Sequence, residues 1–373
     1  MTVISICHRT TYRYRYPVSL SPHRFLLRPR EAQDLQLLSH SVTISPPAEL
    51  TWSQDVFGNA VATAHFQQDA DMLCIESRAE VEIGASAWPV FAIQTSALVY
   101  PFRYSDSEWT DLGALAICQY PDPDDRLAQW ARNFVASDHT DTLSLLKDLN
   151  TGVQTQIRYQ ARDDEGTQSP AQTLMRGWGA CRDMAVLFAE AARSLGFGAR
   201  IVSGYLRGSK DMTPELQNHG TTHAWAEIFV PGPGWIAFDP TNGAMGGANL
   251  IPTTFARDIS QTMPITGSFV SHSDAFVGME IDVVVSEQDA GGRSTPLGAL
   301  KAGMQKEIYA STNGDRWLLI GDGNTISVRH EPNAGSGGKA SDRDLGIFLA
   351  TERHSPQGEG LLRLLGEMSA PHT

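Results

Sequence analysis

The chain has 373 residues, 41% of them hydrophobic, with 29 Lys plus Arg against 42 Asp plus Glu and a formal net charge of -13. That is enough apolar material for a sizeable core, and the length suggests two or three domains rather than one. An acidic surface repels phosphate backbones, so no nucleic-acid partner is expected, and Arg24, Arg28 and Arg30 read as a solvated face.

The N-terminal run MTVISICHRTTYRYRY has no basic stretch followed by an apolar one, so no secretory signal is expected. No window approaches about 18 consecutive apolar residues, so no membrane-spanning helix and no membrane partner are expected. Cys7, Cys74, Cys118 and Cys181 are scattered, with no CxxC spacing. They read as free thiols of a cytoplasmic protein.

Residues 1–85 read as a β-sandwich domain. Thr10 to Tyr16 alternates aromatic and basic residues at period two, the mark of a half-exposed strand. His40 to Ser45 alternates again and stops at Pro46-Pro47. Asp55-Val-Phe-Gly-Asn59 reads as a turn, and Val61 to Phe66 and Leu73 to Ile83 as further strands. Residues 86–122, with Pro89, Pro101 and Pro121, read as a connector that packs on both neighbours.

Residues 123–285 read as a catalytic core. Asp124 to Phe134 and Asp141 to Val153 look helical, the second with Leu143, Leu146 and Leu149 along one face. Ser169-Pro170 places a capping hydroxyl before a first-turn proline, starting a short helix to about Arg176. Gly177-Trp-Gly179 interrupts it. Cys181 to Leu195 is then a long helix with Ala185, Phe188, Ala192 and Leu195 as its apolar face. Arg200 to Leu206 reads as a strand and Asp211 to Gly220 as a polar loop. His223 to Val230 and Trp235 to Phe238 read as strands joined by Pro231-Gly-Pro-Gly234. A helix packed on such a sheet is an α+β arrangement. Beyond Thr241 the pattern loosens until Met279 to Val285, a near-continuous apolar strand. Gln288 to Gly292 reads as a linker into a C-terminal extension, 286–373, of no assignable role. Its apparent elements are Asp315 to Ile320, Ile326 to Arg329 and Gly360 to Met368. Asn333 to Lys339 is glycine-rich but lacks the glycine and the Ser or Thr of a phosphate loop.

One thiol sits in a setting unlike the others. A cysteine attacks only as a thiolate, and the first turn of a helix, with unpaired N–H groups and the positive end of the dipole, favours an anion. Cys181 is placed there, and Gly177 and Gly179 leave room for a substrate backbone. A nucleophile needs a base, and the base an orienting group. His223 begins one predicted strand and Asp239 ends the next, so the Pro-Gly-Pro-Gly turn brings imidazole and carboxylate together. The imidazole can take the thiol proton and return it to a leaving amine, while the carboxylate fixes the tautomer. Cys181, His223 and Asp239 are therefore the expected catalytic residues. His219, in a polar loop, is the main rival for the base. His223 and Glu227 are four apart, but in a strand this is no helical metal pair; neither metal nor cofactor is expected.

Gly179-Ala-Cys-Arg-Asp183, Thr222-His-Ala-Trp-Ala-Glu227 and Gly234-Trp-Ile-Ala-Phe-Asp-Pro-Thr-Asn242 resemble bacterial transglutaminase-like proteins of the candidate cysteine protease group. Tyr12 to Ile83, with Leu27-Arg-Pro29 and Asp55 to Asn59, is similar to their N-terminal β-domain. Thr254 to Gly267 is similar to the segment after the aspartate, with Ala256 where a glycine usually stands. The resemblance covers about residues 1–285. It implies a papain-like α+β core, a Cys-His-Asp triad and acyl transfer through a thioester, with a peptide or isopeptide amide as substrate.

For the oxyanion, the backbone N–H of Cys181 is one candidate donor. The resemblance suggests the hydroxyl of Tyr159 as a second, against the alternative of a packed strand residue. Trp178 reads as a wall of the substrate groove or as core. Trp225 is expected to shield the imidazole, Arg182 and Asp183 to form a local ion pair, and Glu227 to be structural. Three functions stay open: a thiol amide hydrolase, an acyltransferase to an amine, and a peptide-binding scaffold. Oligomeric state is open as well.

Overall fold

The computed structural model describes residues 2–32, 34–85, 89–137, 139–162, 166–207, 221–271 and 274–288, and beyond these 304–311, 315–321, 326–332, 340–344, 348 and 361. Two compact units are present, Met1–Ala290 and Gly291–Thr373.

The first unit opens with six strands: β1 (Thr2–Leu20), β2 (His23–Phe25), β3 (Leu35–Ser45), β4 (Ala48–Gln54), β5 (Ala60–Phe66) and β6 (Ala70–Ile83). The period-two pattern of β1 is decided by burial. Ile4, Ile6, His8, Tyr14, Val18 and Leu20 are buried, while Arg9, Arg13 and Arg15 face solvent. It pairs on one edge with β6, which pairs in turn with β3, and on the other with strands from far along the chain. Those are β17 (Phe269–Val270) and β18 (Phe276–Gln288), the latter antiparallel to Val3–Tyr14. The second sheet runs β16-β2-β5-β4, with β16 (Ile265–Thr266) again distant in sequence. Tyr14, Leu20, Phe25, Ala62, Leu73 and Ile75 fill the space between the sheets as a sandwich core. The sandwich is thus completed by residues 265–288, of which sequence patterning grouped 265–285 with the core and 286–288 with the C-terminal extension. Met279 and Ile281 are half-exposed, so the apolar run of β18 is buried only from Val283 onward.

Two short strands pair across the connector region, β7 (Val99–Tyr100) and β8 (Thr140–Asp141). Helix α1 (Asp106–Leu112) lies between them in sequence. The connector is tied to the catalytic side: the Tyr100 hydroxyl donates to Leu195 O at 3.0 Å and the Tyr104 hydroxyl to Phe229 O at 2.7 Å.

The catalytic region adds α2 (Arg126–Arg132), α3 (Thr142–Gln156), β9 (Arg158–Tyr159), α4 (Pro170–Arg176), β10 (Trp178–Gly179) and α5 (Cys181–Ser194). The face of α3 toward the core is Leu145, Leu146, Leu149 and Val153; Leu143 is only partly buried. Ser169 caps α4 as expected, and Gly177 ends it at φ 67°, a left-handed conformation suited to glycine. Strands β11 (Gly198–Leu206), β12 (Thr221–Val230), β13 (Gly234–Asp239), β14 (Ala244–Met245) and β15 (Leu250–Ala256) form one antiparallel sheet in the order β14-β13-β12-β11-β15. The strand β15 is fully buried, yet sequence patterning passes over it because Pro252 breaks the run. The proline is tolerated where the β11–β15 ladder slips at Ser203/Gly204.

Helix α5 is buried on every face, its polar stripe of Asp183, Glu190 and Arg193 included. Every residue from Asp183 to Arg193 is buried, against α2, α3, α4 and the sheet. The buried pair Glu190 and Arg193 is fully bonded: Glu190 accepts the Gln119 and Tyr120 N–H groups, and Arg193 donates to Leu115 O, Ala199 O and Arg257 O. Such bonding is the condition for burying both charges.

The second unit contains β19 (Met304–Ala310), β20 (Arg316–Gly321), β21 (Ile326–Glu331) and β22 (Ser341–Asp344) as a four-stranded antiparallel sheet. Leu319, Val328, Phe348 and Leu361 form its core. The glycine-rich Asn333 to Lys339, the loop Asp211 to Gly220, most of the linker Gln288 to Gly292 and, apart from Leu361, the element Gly360 to Met368 lie outside the described residues.

Gly204 stands opposite His223 in the β11–β12 register. A Cβ there would lie 2.1 Å from Ile251 O and 2.9 Å from Pro252 Cα, so β15 can approach only a glycine. Gly204→Ala is expected to destabilise the first unit by about 1–3 kcal/mol, read by denaturant unfolding. A wild-type midpoint would show that β15 does not depend on the missing side chain.

Candidate active site

Cys181 is the first residue of α5. The turn before it is held by a carboxylate. Asp183 Oδ2 accepts the Ala180 N–H at 2.9 Å, and Oδ1 accepts the Gln168 N–H at 2.8 Å and the Arg162 guanidinium at 3.0 Å. The expected ion pair of Arg182 with Asp183 is therefore replaced: Asp183 takes Arg162. Arg182 donates instead to the carbonyls of Gly166 and Arg162. Both contacts tie the segment before α4 to the start of α5. Arg162 and Gln168 carry no sequence motif. Asp183 does carry a signal, since an acid at the third helical position commonly bonds back to the residue before the helix.

His223 sits near the start of β12, 6% exposed, and Asp239 ends β13, 1% exposed. The two strands are joined by the hairpin turn at 231–234, with Ala226 opposite Phe238 and Val230 opposite Gly234. His223 Nε2 meets Asp239 Oδ2 at 2.9 Å. That leaves Nδ1 as the ring nitrogen open to Cys181, whose thiol lies close enough to the imidazole for each to shift the other. The structure thus brings together the three residues expected from sequence. His219 lies outside the described residues.

Asp239 has more partners than sequence reading named. Oδ2 also accepts Asn242 Nδ2 at 2.7 Å, and Oδ1 accepts the Thr241 and Asn242 N–H groups at 3.0 and 3.3 Å. An aspartate that bonds N–H groups two and three residues on is a local turn habit, so the run Asp239-Pro-Thr-Asn242 held this signal. The carboxylate cannot swing away from the imidazole without losing these bonds.

The electrostatics follow from these contacts. Burial pushes the Cys181 thiol up, but the His223 hydrogen bond and charge, then the backbone N–H groups of Ala224 and Arg182, outweigh it and hold the thiol below its ordinary value. Burial pulls His223 down, yet Asp239 and Cys181 raise it to about 9. Burial pushes Asp239 up, and His223 and Asn242 bring it below the usual carboxylate range. Both shifts act in favour of a thiolate facing an imidazolium.

Trp225 is 1% exposed, and its ring lies 6.2 Å from the His223 ring at an interplanar angle of 25°, covering one side of the imidazole. Tyr159 and Trp178 lie on the parallel pair β9–β10, Tyr159 opposite Gly179 and Trp178 opposite Arg158. Tyr159 is 53% exposed, not a packed strand residue. Burial of its hydroxyl end, then the charge of Cys181, raises the phenol, so it stays an O–H donor. Trp178 is partly exposed, with the Arg176 guanidinium 5.6 Å above its ring. Glu227 is paired with Arg200, which also lies over Trp235 and Phe255. Among the described residues no group of three or more His, Cys, Asp or Glu side chains is gathered as a metal ion would need.

The model of the bacterial transglutaminase-like N-terminal region matches residues 4–82, and that of the transglutaminase-like superfamily core matches residues 128–240. The second span contains Cys181, His223 and Asp239. Uncharacterized proteins of Mycobacterium tuberculosis and Mycobacterium bovis are 28% identical over 305 residues, covering 76% of this chain and 93% of the relative. One of Mycobacterium leprae is 23% identical over 290 residues, covering 75% of this chain and 96% of its own. Among solved structures, a candidate cysteine protease from Cytophaga hutchinsonii has the same fold, with TM-score 0.58, 18% identity and coverage of 78% of this chain and 91% of that one.

The thiols can be ranked by chemistry. Cys118 is exposed and Cys7 half-buried, and burial raises both. Iodoacetamide near pH 7 is expected to label Cys181 at least about tenfold faster than Cys7 or Cys118, read by peptide mass mapping. Equal rates would mean that no thiolate is stabilised at Cys181.

Proposed function

The chain belongs to the transglutaminase-like proteins that join the bacterial N-terminal region to the transglutaminase-like core, and on that footing we propose that it is a cysteine-dependent amide hydrolase acting on peptide or isopeptide bonds. The observation that carries this is the alignment of Cys181, His223 and Asp239, with one ring nitrogen of His223 on the carboxylate and the other left for the thiol. A structural histidine has no need of an anionic sulfur on one side and a four-fold bonded carboxylate on the other.

In the reaction the Cys181 thiolate attacks the amide carbonyl and forms a C–S bond. Negative charge moves to the carbonyl oxygen, within reach of the Cys181 N–H and, on the open side, the Tyr159 hydroxyl. The His223 imidazolium gives its proton to the leaving amine as the C–N bond breaks, leaving a thioester. The neutral imidazole then takes a proton from water, the hydroxide oxygen attacks the thioester, and a carboxylic acid and the thiolate–imidazolium pair are regenerated. Asp239 holds the ring in the tautomer both steps require and stabilises the imidazolium. The exposed Tyr159, whose hydroxyl feels the Cys181 charge, and the partly exposed Trp178 offer apolar surface suited to a peptide segment.

Cys181→Ala is expected to abolish amide cleavage across a peptide and isopeptide library while keeping the wild-type unfolding midpoint. Turnover surviving in that variant would remove the nucleophile assignment.

The pH profile follows from the signs of the shifts. The thiol is lowered, so activity persists below the ordinary thiol range and falls only as the thiolate is protonated. His223 is raised to about 9, so activity falls again as pH passes that value and the imidazolium that protonates the leaving amine is lost. Alkylation of Cys181 should not fall on that alkaline side, because the thiolate persists. A profile rising monotonically through pH 10 would contradict the general-acid role. The same assays with an added primary amine divide hydrolysis from acyl transfer: exclusive formation of the new amide would replace the hydrolase reading.

A further inference from the structure

The Asp239–His223 contact is made at a single carboxylate oxygen, and that oxygen has a second donor. Oδ2 meets the imidazole at 2.9 Å and accepts the Asn242 side-chain amide at 2.7 Å. The other oxygen, Oδ1, takes backbone donors, the Thr241 and Asn242 N–H groups at 3.0 and 3.3 Å. Those two bonds belong to the turn and would form with almost any side chains at 241 and 242. The Oδ2 bond is different, because it needs a side-chain N–H at position 242. The neighbouring hydroxyl does not supply it: Thr241 Oγ1 is buried and bonds to nothing among the described residues.

The backbone around Asn242 is fixed from two directions. Ala244 pairs back onto Asp239 and Met245 onto Phe238, so residues 240–243 are a short loop closed at its base. Helix α3 holds the same loop: Asn150, 1% exposed, donates from Nδ2 to Ala244 O at 3.2 Å. Gly243 is left-handed at φ 65°, and a Cβ there would lie 2.3 Å from Gln154 Oε1, so the loop lies directly on α3. Asn242 is exposed, whereas Asp239 is 1% exposed. Its amide therefore fills a place at a buried carboxylate oxygen that water would otherwise take. A carboxylate free to rotate or to take up water holds a neighbouring imidazolium less strongly, because both changes weaken the attraction between the two charges.

We propose that Asn242 is a positioning residue: its amide, set in place by the loop on α3, holds Asp239 Oδ2 against His223 and keeps water from that oxygen. The inference rests on the reading of Cys181, His223 and Asp239 as the reacting line. It adds a further member that acts only through the carboxylate.

The test is the alkaline titration of the His223 ring in the full chain, followed by NMR of isotope-labelled histidine and assigned with His223→Gln. Asn242→Ala removes the amide, and Asn242→Leu replaces it with an apolar group of similar shape. The residue is exposed, so neither change empties a core. In the wild type the ring is held up at about 9. In both variants the midpoint is expected to fall by about one pH unit, because a base stabilised by an anion loses its proton at lower pH once that anion is loosened or wetted. The alkaline limb of amide turnover moves down with it while KM is kept. An unmoved ring midpoint beside a lowered thermal midpoint would make Asn242 a turn stabiliser only and overturn the proposal. An upward shift overturns it as well, since the amide would then be drawing charge from Oδ2 instead of holding it in place. So does a wild-type titration in Asn242→Leu, which would make cover alone sufficient. The ring titration needs no substrate. Absence of Cys181-dependent turnover in the wild type would therefore remove the hydrolase reading while leaving the role of Asn242 to be decided by the ring alone.

Discussion

The burial of helix α5 constrains everything else at the site. With all residues from Asp183 to Arg193 out of solvent, the helix has no rotational or sliding freedom against β11 and β12. Close packing turns that into position, because a displaced helix would open cavities on every side at once. The two charges in its middle are what make full burial possible. Leaving either Glu190 or Arg193 unpaired would cost several kcal/mol, whereas together they also bond the 115–120 segment and Arg257. The same pair therefore fixes the helix lengthwise. Cys181 sits on its N-terminus as the consequence, not as an independent placement.

The second constraint is electrostatic and works against burial. Desolvation by itself would neutralise all three of Cys181, His223 and Asp239, and it is the largest single influence on each. The net shifts run the other way because each charge is matched in sequence along the line: donors on Asp239, Asp239 on His223, His223 on Cys181. The charged forms of Cys181 and His223 are thereby favoured in a largely buried site, where a charge is worth most. Trp225 contributes by closing one side of the ring. Tyr159, near Cys181, is exposed.

Much of this was legible in the sequence, and the reasons differ by element. The strands β12 and β13 were readable because a Pro-Gly-Pro-Gly turn separates two apolar runs of strand length. The start of α5 was readable because glycines precede a helix-forming run, although a helix buried on all faces cannot be told from an amphipathic one by its apolar positions alone. The strand β15 was hidden by Pro252, which only a slipped ladder beside Gly204 accommodates. Arg162 and Gln168 were hidden because a long-range bond to Asp183 leaves no periodic trace. The partners of Asp239 were within reach, since Thr241 and Asn242 follow it directly. Reading residues 1–85 as a self-contained sandwich missed that pairing partners of β1 lie near residue 280, a long-range pairing no local pattern reports.

That last point changes how the β-sandwich relates to the chemistry. Its first sheet is longer than its second. Between the sheets lies one core, and beyond them Ile4, Ile6, Val81 and Ile83 meet Tyr205 and Ile251 of the catalytic sheet. At the same junction His8 Nδ1 lies 3.0 Å from the Tyr205 hydroxyl. The turn at 55–59 is bound there too: Asn59, fully buried, donates to Phe255 O at 2.8 Å and accepts the Phe255 N–H at 2.9 Å, standing in for a strand neighbour along β15. The strand β15 pairs with β11, and Tyr205 follows Gly204, the residue opposite His223. The sandwich thus supports β15 and β11, and through them the strand that carries His223. Its N-terminal strands and the strands at 265–288 enclose the catalytic region in sequence and brace it in space, so the two form one folded unit and not an enzyme with an appended module.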